Sequence, residues 1–267
     1  KPQVAEHEPD LALPELVASW PAGLDGCICN CVFRRPSKPG FPPEWKWLEA
    51  NLHFFDASTE AGGKLWFSIG IHPHDAEHWD AEAEATVRRL AAHPRCVGIG
   101  ECGMDLFKHS GGELEKQLRA FRAQAKLAVE LGKALVVHGR LVTSQNEQIC
   151  FETLQDLVPT DHPVHIHCYS DSLQHALDLC ERWPNLRIGF TGAITFRDRG
   201  KAGSKGKGGT QEKKGEAHCQ ELVSGLPLER LLLETDGPYM CPEPFRGQTA
   251  HPGHVHRVAE RIAEWQG

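Results

Sequence analysis

The sequence predicts an α/β fold in which strands and helices alternate around a parallel sheet. Short apolar runs of strand length recur along the chain, and stretches with helical character lie between most of them. Such alternation is typical of βαβ units. The chain has 267 residues, of which 40% are hydrophobic. A single α/β barrel, which commonly has about 250 residues, is therefore one option.

The elements follow one another at the spacing of one strand and one helix per repeat. Seven strands are predicted, at Cys27–Phe33, Leu65–Ile71, Cys96–Gly100, Ala134–His138, Pro163–His167, Leu186–Thr191 and Arg230–Glu234. Helices are predicted at Ala81–Ala92, Gly112–Leu131 and Asp171–Trp183. The second of these helices carries an apolar stripe, which consists of Leu114, Leu118, Phe121, Ala125 and Ala128.

The last repeat is lengthened by residues 197–216, which are rich in Gly and Lys and have no apolar period. We expect a flexible surface insertion there, within a single domain that spans residues 1–267. A basic flap over a nucleic-acid substrate is the alternative interpretation of the same segment.

Composition limits the classes of function. No apolar run approaches the roughly 18 residues of a membrane helix, and the polar start shows no signal peptide. The formal net charge of −7 argues against a protein that coats nucleic acid by bulk electrostatics, although an enzyme could still contact a few phosphates. The ten cysteines are scattered, which favours reduced thiols in an intracellular protein, cytoplasmic or nuclear.

The chemical signal is that five predicted strands end in histidine or carboxylate side chains. These residues are His72 and His74, Glu101, His138, His165 and His167, and Glu234 and Asp236. The carboxyl ends of parallel strands form one face of an α/β sheet, so these side chains should converge. Carboxylates mixed with imidazoles suit Zn²⁺, Mn²⁺ or a similar divalent ion. A metal or acid/base centre is predicted on this face.

Competing chemistries have weaker support. The sequence has no G-x-S-x-G elbow, and "GIGECG" lacks the third glycine of a dinucleotide loop. The "CICNC" run could be a thiolate cluster. However, alternation places its three cysteines on one face of a strand, where core packing is the better interpretation.

Six motifs together resemble those of the TatD-type metal-dependent deoxyribonucleases. They are "SIGIHPHD", "GIGECGMD", "LVVHGR", "HIHCYSDS", "GFTGAITF" and "LLLETDGPYMCPEP", in order along nearly the whole chain. The resemblance implies a TIM-type (β/α) barrel of the amidohydrolase-like class. It also implies a hydrolase that cleaves DNA phosphodiester bonds, 3'-5' exonuclease-like, with one or two Mg²⁺, Mn²⁺ or Zn²⁺ ions. We further expect a monomer and, from the lack of a long apolar run, no membrane association.

The resemblance also assigns metal ligands. Glu101 resembles the bridging carboxylate, and His138 and His167 resemble the histidine ligands of the two following strands. Asp236 resembles the metal-bound aspartate that orients or deprotonates the attacking water, so Glu101 and Asp236 are the expected catalytic residues.

Two further positions resemble groups that bind the substrate. Arg140 lies where the family places a phosphate-facing arginine, although Gly139 replaces the usual cysteine. His72, in "G-x-H-P", matches a position close to the substrate phosphate.

One departure is that no His-x-His pair precedes Cys27, whereas the family's first strand supplies two ligands from such a pair. The seven predicted strands then correspond to the second to the eighth, and we expect a barrel that lacks its first strand and part of its C-terminal helices. Either the sequence is truncated or one metal site is lost. Two other functions stay open: a metal-dependent hydrolase of an amide, lactone or small phosphoester, and a catalytically impaired barrel that acts as a binding or scaffold protein.

Overall fold

The computed structural model describes residues 13–33, 44–107, 111–196 and 215–267. They form two compact units, one that extends to Ile188 and one from Gly189 to Gly267. The predicted insertion at 197–216 lies almost wholly outside the described residues, and the single domain over 1–267 stays a prediction. No helix among the described residues is long and apolar enough to cross a membrane.

The first unit is built on parallel strands that are joined by helices. The strands are β1 (Cys27–Phe33), β2 (Leu65–Ile71), β3 (Cys96–Asp105), β4 (Ala134–Arg140), β5 (Val164–His167) and β6 (Leu186–Phe190), the last of which runs across the unit boundary. The helices are α1 (Leu13–Ala18), α2 (Glu44–Asn51), α3 (Glu60–Gly63), α4 (Ala81–Ala91), α5 (Gly111–Leu131), α6 (Ser144–Leu157) and α7 (Leu173–Arg182). Short 3₁₀ helices lie at Leu52–Phe55 and Pro73–His78.

Neighbouring strands pair in parallel and in chain order, from β1 to β6. This order has no reversal, whereas a doubly wound sheet changes direction at a switch point. The structure therefore confirms the predicted α/β class and the barrel type of winding. Among the described residues before Cys27 there is one short helix and no strand.

The most informative boundary difference concerns β3, which continues to Asp105 instead of ending before Glu101. The pairing of β3 with β4 shifts between Ile99 and Cys102, which is the signature of a β-bulge. Gly100 permits this, because its φ of +133° is unfavourable for other residues and a Cβ there would lie 2.1 Å from the Val136 carbonyl oxygen. Glu101 consequently lies inside the strand.

Helix α5 connects the core to the ends of two strands. Its predicted stripe is confirmed where Phe121, Ala125 and Ala128 are fully buried. Two glutamines on the same helix, Gln117 and Gln124, are also buried. Their side-chain amides hydrogen-bond to the backbone at the ends of β2 and β3. The helix therefore holds the strand ends next to which the predicted site residues lie.

The second unit contains β7 (Leu231–Leu233), α8 (Glu216–Gly225) and α9 (Val255–Gln266), with 3₁₀ helices at Gly192–Thr195, Leu228–Arg230 and Pro252–His254. The predicted seventh strand is therefore confirmed in a shorter form. Directly after it, the Glu234 amide donates to the Phe190 carbonyl oxygen at 2.9 Å. Helix α9 buries Val258 and Ile262, as an amphipathic helix should.

Candidate metal centre

Helix α5 fixes the backbone on both sides of the candidate site. The Gln124 amide accepts from the Ile71 nitrogen at 2.7 Å and donates to the Ile71 oxygen at 3.1 Å. Gln117 forms the same pair of bonds with the Asp105 backbone, at 2.9 and 3.1 Å. Each glutamine satisfies one backbone N–H and one backbone C=O of the last residue of a strand. The carboxyl ends of β2 and β3 are therefore held in place.

Four of the predicted residues converge in the first unit, and we call them the Glu101 cluster: His72, Glu101, His138 and His167. Ligand atoms of the first three lie within 4.8 Å of one another. His138 Nδ1 is 3.3 Å from Glu101 Oε2, and His167 Nε2 is 3.7 Å from Glu101 Oε1. Each carboxylate oxygen of Glu101 therefore faces an imidazole.

The donor set fits a divalent cation. Glu101 is 6% exposed, and His138 Nδ1 is buried and makes no hydrogen bond of good geometry among the described residues, although Glu101 Oε2 lies 3.3 Å away. A buried polar atom without such a bond is costly unless a ligand satisfies it. Imidazole nitrogens combined with carboxylate oxygens are the ligands of Zn²⁺ and Mn²⁺ sites. His72, Glu101 and His138 could together hold one such ion.

Asp105 is the residue that the sequence prediction missed. It is 2% exposed, and its Oδ2 lies 3.0 Å from His74 Nε2 and 3.3 Å from His138 Nε2. Its Oδ1 accepts from the Phe107 amide at 3.1 Å. A carboxylate on the outer nitrogen of a ligating imidazole fixes the tautomer and orients the ring, so Asp105 leaves His138 Nδ1 directed at Glu101.

The carboxylates in this site are ionised at neutral pH. Burial raises the pKa of Glu101, but the surrounding imidazoles, that of His138 foremost, outweigh it and hold the pKa at about 2. Burial likewise opposes ionisation of Asp105, yet the imidazoles of His138 and His74 lower its pKa well below the ordinary value. Two negative charges in a largely dry site favour a bound cation.

Glu101 is also supported from β1 and β2. The Ser68 hydroxyl donates to Asn30 Oδ1 at 2.6 Å, which directs the amide nitrogen of Asn30 towards Glu101 Oε1 at 3.4 Å. Asn30 occupies the strand face opposite the three "CICNC" cysteines. Of these, Cys31 is buried and the other two are half-buried, and none belongs to a metal-ligand cluster in the part of the chain described.

Arg140 lies at the edge of the site. Its side chain is 40% exposed, and its Nη1 is 3.9 Å from Asp105 Oδ2. Its guanidinium carbon lies 5.2 Å from the ring centre of Phe107. The position allows Arg140 to donate to a phosphate that approaches the cluster from solvent.

The predicted residues that follow β7 belong to the second unit. Asp236 adopts a left-handed conformation with a φ of +51°, and its carbonyl oxygen accepts from the Tyr239 amide at 2.9 Å. Its role as a ligand stays a prediction. In the first unit, the ring of His165 lies 6.0 Å from that of His167, as expected for alternate residues of one strand.

Comparison with known proteins identifies relatives of this chain. The family model described as "TatD related DNase" matches residues 22–267. A 3'-5' ssDNA/RNA exonuclease TatD from Citrobacter koseri is 31% identical over 81% of this chain and 77% of that protein. The human 3'-5' RNA nuclease TATDN2 is 30% identical over 74% of this chain. The match covers only 24% of the human protein.

Two solved structures share the fold at low sequence identity. The TatD homolog YJJV from Escherichia coli gives a TM-score of 0.64 with 22% identity, and covers 90% of this chain and 78% of that chain. A TatD family hydrolase from Entamoeba histolytica gives 0.67 with 16% identity, over 91% and 78%. Together with the match over residues 22–267, these similarities confirm the resemblance, and the chain belongs to the TatD-related DNase family.

Proposed function

We propose that the protein is a metal-dependent nuclease that hydrolyses phosphodiester bonds with a metal-activated water. The observation that carries the proposal is the Glu101 cluster, which joins a buried, ionised carboxylate to three imidazoles at the ends of adjacent strands. The relatives named above are nucleases, which favours a phosphodiester over an amide or lactone. A scaffold protein that binds no metal would not require a buried, ionised carboxylate surrounded by imidazoles, which is costly to bury.

The ligand roles combine geometry with family resemblance. Glu101 and His138 are proposed as ligands of one ion, with His167 on the second oxygen of Glu101. The resemblance places His72 near the substrate phosphate, but its distance to Glu101 and His138 favours it as a ligand of the same ion. Asp236 is proposed as a further ligand on resemblance alone.

A divalent cation bound here would supply Lewis acidity, lowering the pKa of a water and neutralising charge on phosphoryl oxygens. The chain's own groups do the rest. Asp236 is proposed to take the proton of the attacking water. Arg140 would donate to the phosphate oxygens. Asp105, 3.3 Å from His138 Nε2, is proposed to hold the His138 proton on that nitrogen, which would leave Nδ1 as a lone-pair donor to a cation.

The finer assignments follow the relatives. We propose 3'-5' exonuclease action by a monomer on DNA, with RNA as a second substrate because the relatives' names include it. Mg²⁺, Mn²⁺ and Zn²⁺ are the candidate ions. All ten cysteines are free thiols, which supports a reducing compartment, cytoplasmic or nuclear.

The test is hydrolysis of labelled single- and double-stranded oligonucleotides, of DNA and of RNA, with each of the three ions. Glu101→Ala removes the shared carboxylate and should reduce the rate at least 100-fold, because the cluster loses its anionic ligand. Glu115→Ala, at an exposed position on α5, is the matched control. If the unaltered protein cleaves none of the substrates with any ion, the nuclease proposal is wrong.

A further inference from the structure

A solvent-exposed aromatic ring lies beside the Glu101 cluster, and the proposed hydrolysis does not use it. Phe107 is 44% exposed. A single exposed phenylalanine is unremarkable in itself. Phe107 differs from other exposed aromatic residues because Asp105, which contacts the candidate ligand His138, also binds the Phe107 amide.

Two hydrogen bonds donated by backbone amides hold the backbone that carries the ring. The Phe107 amide donates to Asp105 Oδ1 at 3.1 Å, and the Leu106 amide donates to the Arg140 carbonyl oxygen at 3.0 Å. The loop after β3 is therefore attached to the end of β4. Phe107 thus presents its ring from a backbone fixed at the edge of the site.

The guanidinium of Arg140 lies between this ring and the Asp105 carboxylate. Its carbon is 5.2 Å from the ring centre of Phe107, and one nitrogen is 3.9 Å from Asp105 Oδ2. A cation near an aromatic face makes a favourable interaction, which keeps both groups together. Arg140 still has donors for a phosphate, and the ring surface beside it is apolar.

A charged donor group and an exposed aromatic face side by side match the two parts of a nucleotide. Single-stranded nucleic acid is bound through basic groups on the backbone and aromatic rings on the bases, because every base has a face that can stack. We propose that Phe107 is a base-stacking residue, which binds the nucleobase next to the phosphate held by Arg140. The assignment rests on the proposed nuclease function for the identity of the ligand.

The occupant must be a base that has left the duplex. In a double helix both faces of a base are covered by its neighbours, so an aromatic side chain can reach it only after unstacking. Phe107 should therefore favour single strands and chain ends. Since stacking uses the flat face that all bases share, the ring should tolerate all four bases.

The test is binding of a labelled single-stranded decathymidylate, and of the same decamer without bases, measured by fluorescence anisotropy with metal chelated so that no chain is cut. The unaltered protein should bind the decathymidylate more tightly. Phe107→Ala should weaken that binding about tenfold, within the roughly 5- to 150-fold range for one stacked base. It should leave binding of the abasic decamer unchanged.

Three variants make the result specific. Phe107→Leu keeps an apolar side chain without an aromatic face, and should lose nearly as much affinity as Phe107→Ala. Phe107→Trp should retain the affinity. Trp47→Ala removes another exposed aromatic residue, 42% exposed on α2, and should change nothing. A duplex closed at both ends by hairpin loops outside the paired decamer, which offers no chain end, should bind equally to the unaltered protein and to Phe107→Ala.

The inference is overturned if the unaltered protein does not prefer the decathymidylate, or if Phe107→Ala weakens both decamers alike. It is also overturned if Phe107→Leu binds like the unaltered protein. These outcomes are independent of hydrolysis. A protein that shows the base-dependent loss but cleaves nothing with any metal would disprove the nuclease function and retain the stacking site.

Discussion

Replacement of Asp105 by asparagine tests the site most sharply, because it keeps the size of the side chain and removes only its charge. In the structure, Oδ2 of Asp105 faces the Nε2 atoms of His74 and His138 at 3.0 and 3.3 Å. A hydrogen bond to a charged group contributes about 1.5–3 kcal/mol, and a neutral one about 0.5–1.5 kcal/mol. The change from charged to neutral acceptor therefore costs about 1–1.5 kcal/mol per bond, and about 2–3 kcal/mol for the two.

At about 1.4 kcal/mol per factor of ten, a cost of about 2–3 kcal/mol corresponds to a loss of about 30- to 140-fold, and Asp105→Asn should lower metal affinity and kcat by that factor. This agrees with the usual effect of removing the outer partner of a ligating imidazole. His74→Ala removes one of the two donors and leaves His138 paired with Asp105, so at about 1–1.5 kcal/mol it should cost about 5- to 12-fold. Asp156→Asn, at an exposed position on α6, is the matched control.

The measurements are metal binding by titration calorimetry and hydrolysis of a labelled oligonucleotide. A thermal unfolding curve without metal establishes that the variant is folded. If folded Asp105→Asn binds metal and cleaves within twofold of the unaltered protein, Asp105 does not position His138. A loss in His74→Ala as large as that in Asp105→Asn would also contradict the reasoning.

Two other predictions concern stability. Gln124→Leu leaves the Ile71 amide and carbonyl without their buried partner. At about 1–3 kcal/mol for each of these two unsatisfied groups, the free energy of unfolding measured by urea titration should fall by about 2–6 kcal/mol. Gln148→Leu, on the exposed face of α6, should be nearly neutral. Burial lowers the pKa of His254 to about 4. Between about pH 6.5 and 4 this imidazole is therefore protonated in the unfolded chain but neutral in the folded one. The free energy of unfolding should fall as the pH falls through that window. The fall should be smaller in His254→Phe, and an unchanged slope in that variant would contradict the assignment.

The strands could be predicted because each is a short apolar run bounded by polar or glycine residues. The bounds of β1 and β2 agree with the prediction. The end of β3 does not, because Gly100 permits a bulge after which the strand resumes. The local sequence pattern cannot show that β3 continues after the bulge, because the continuation depends on how closely β4 approaches Gly100. The prediction therefore placed Glu101 at a strand end and passed over Asp105.

The candidate ligand residues, whose role as ligands stays a prediction, stand out in the sequence for a different reason from the residues that orient them. Histidine and glutamate after an apolar run are conspicuous, because burial of such groups needs a partner. Gln117, Gln124 and Asn30 lie on a helix and a strand that the apolar pattern already predicts. Nothing in that pattern indicates that these three side chains support a functional site. Their role is visible only in three dimensions, where each amide meets a strand end or a carboxylate. A polar amide on the buried stripe of a helix was the one signal available.

Asp105 couples the two halves of the candidate site through its two oxygens. Oδ2 faces the imidazoles and Oδ1 holds the Phe107 amide, so one rigid carboxylate sets the distance between the metal ligands and the stacking ring. A base on Phe107 and a phosphate on Arg140 would then stand at a fixed offset from the Glu101 cluster. In the proposed nuclease, the position of the cleaved bond would follow from that offset and would not depend on base identity, as an exonuclease that acts on any sequence requires.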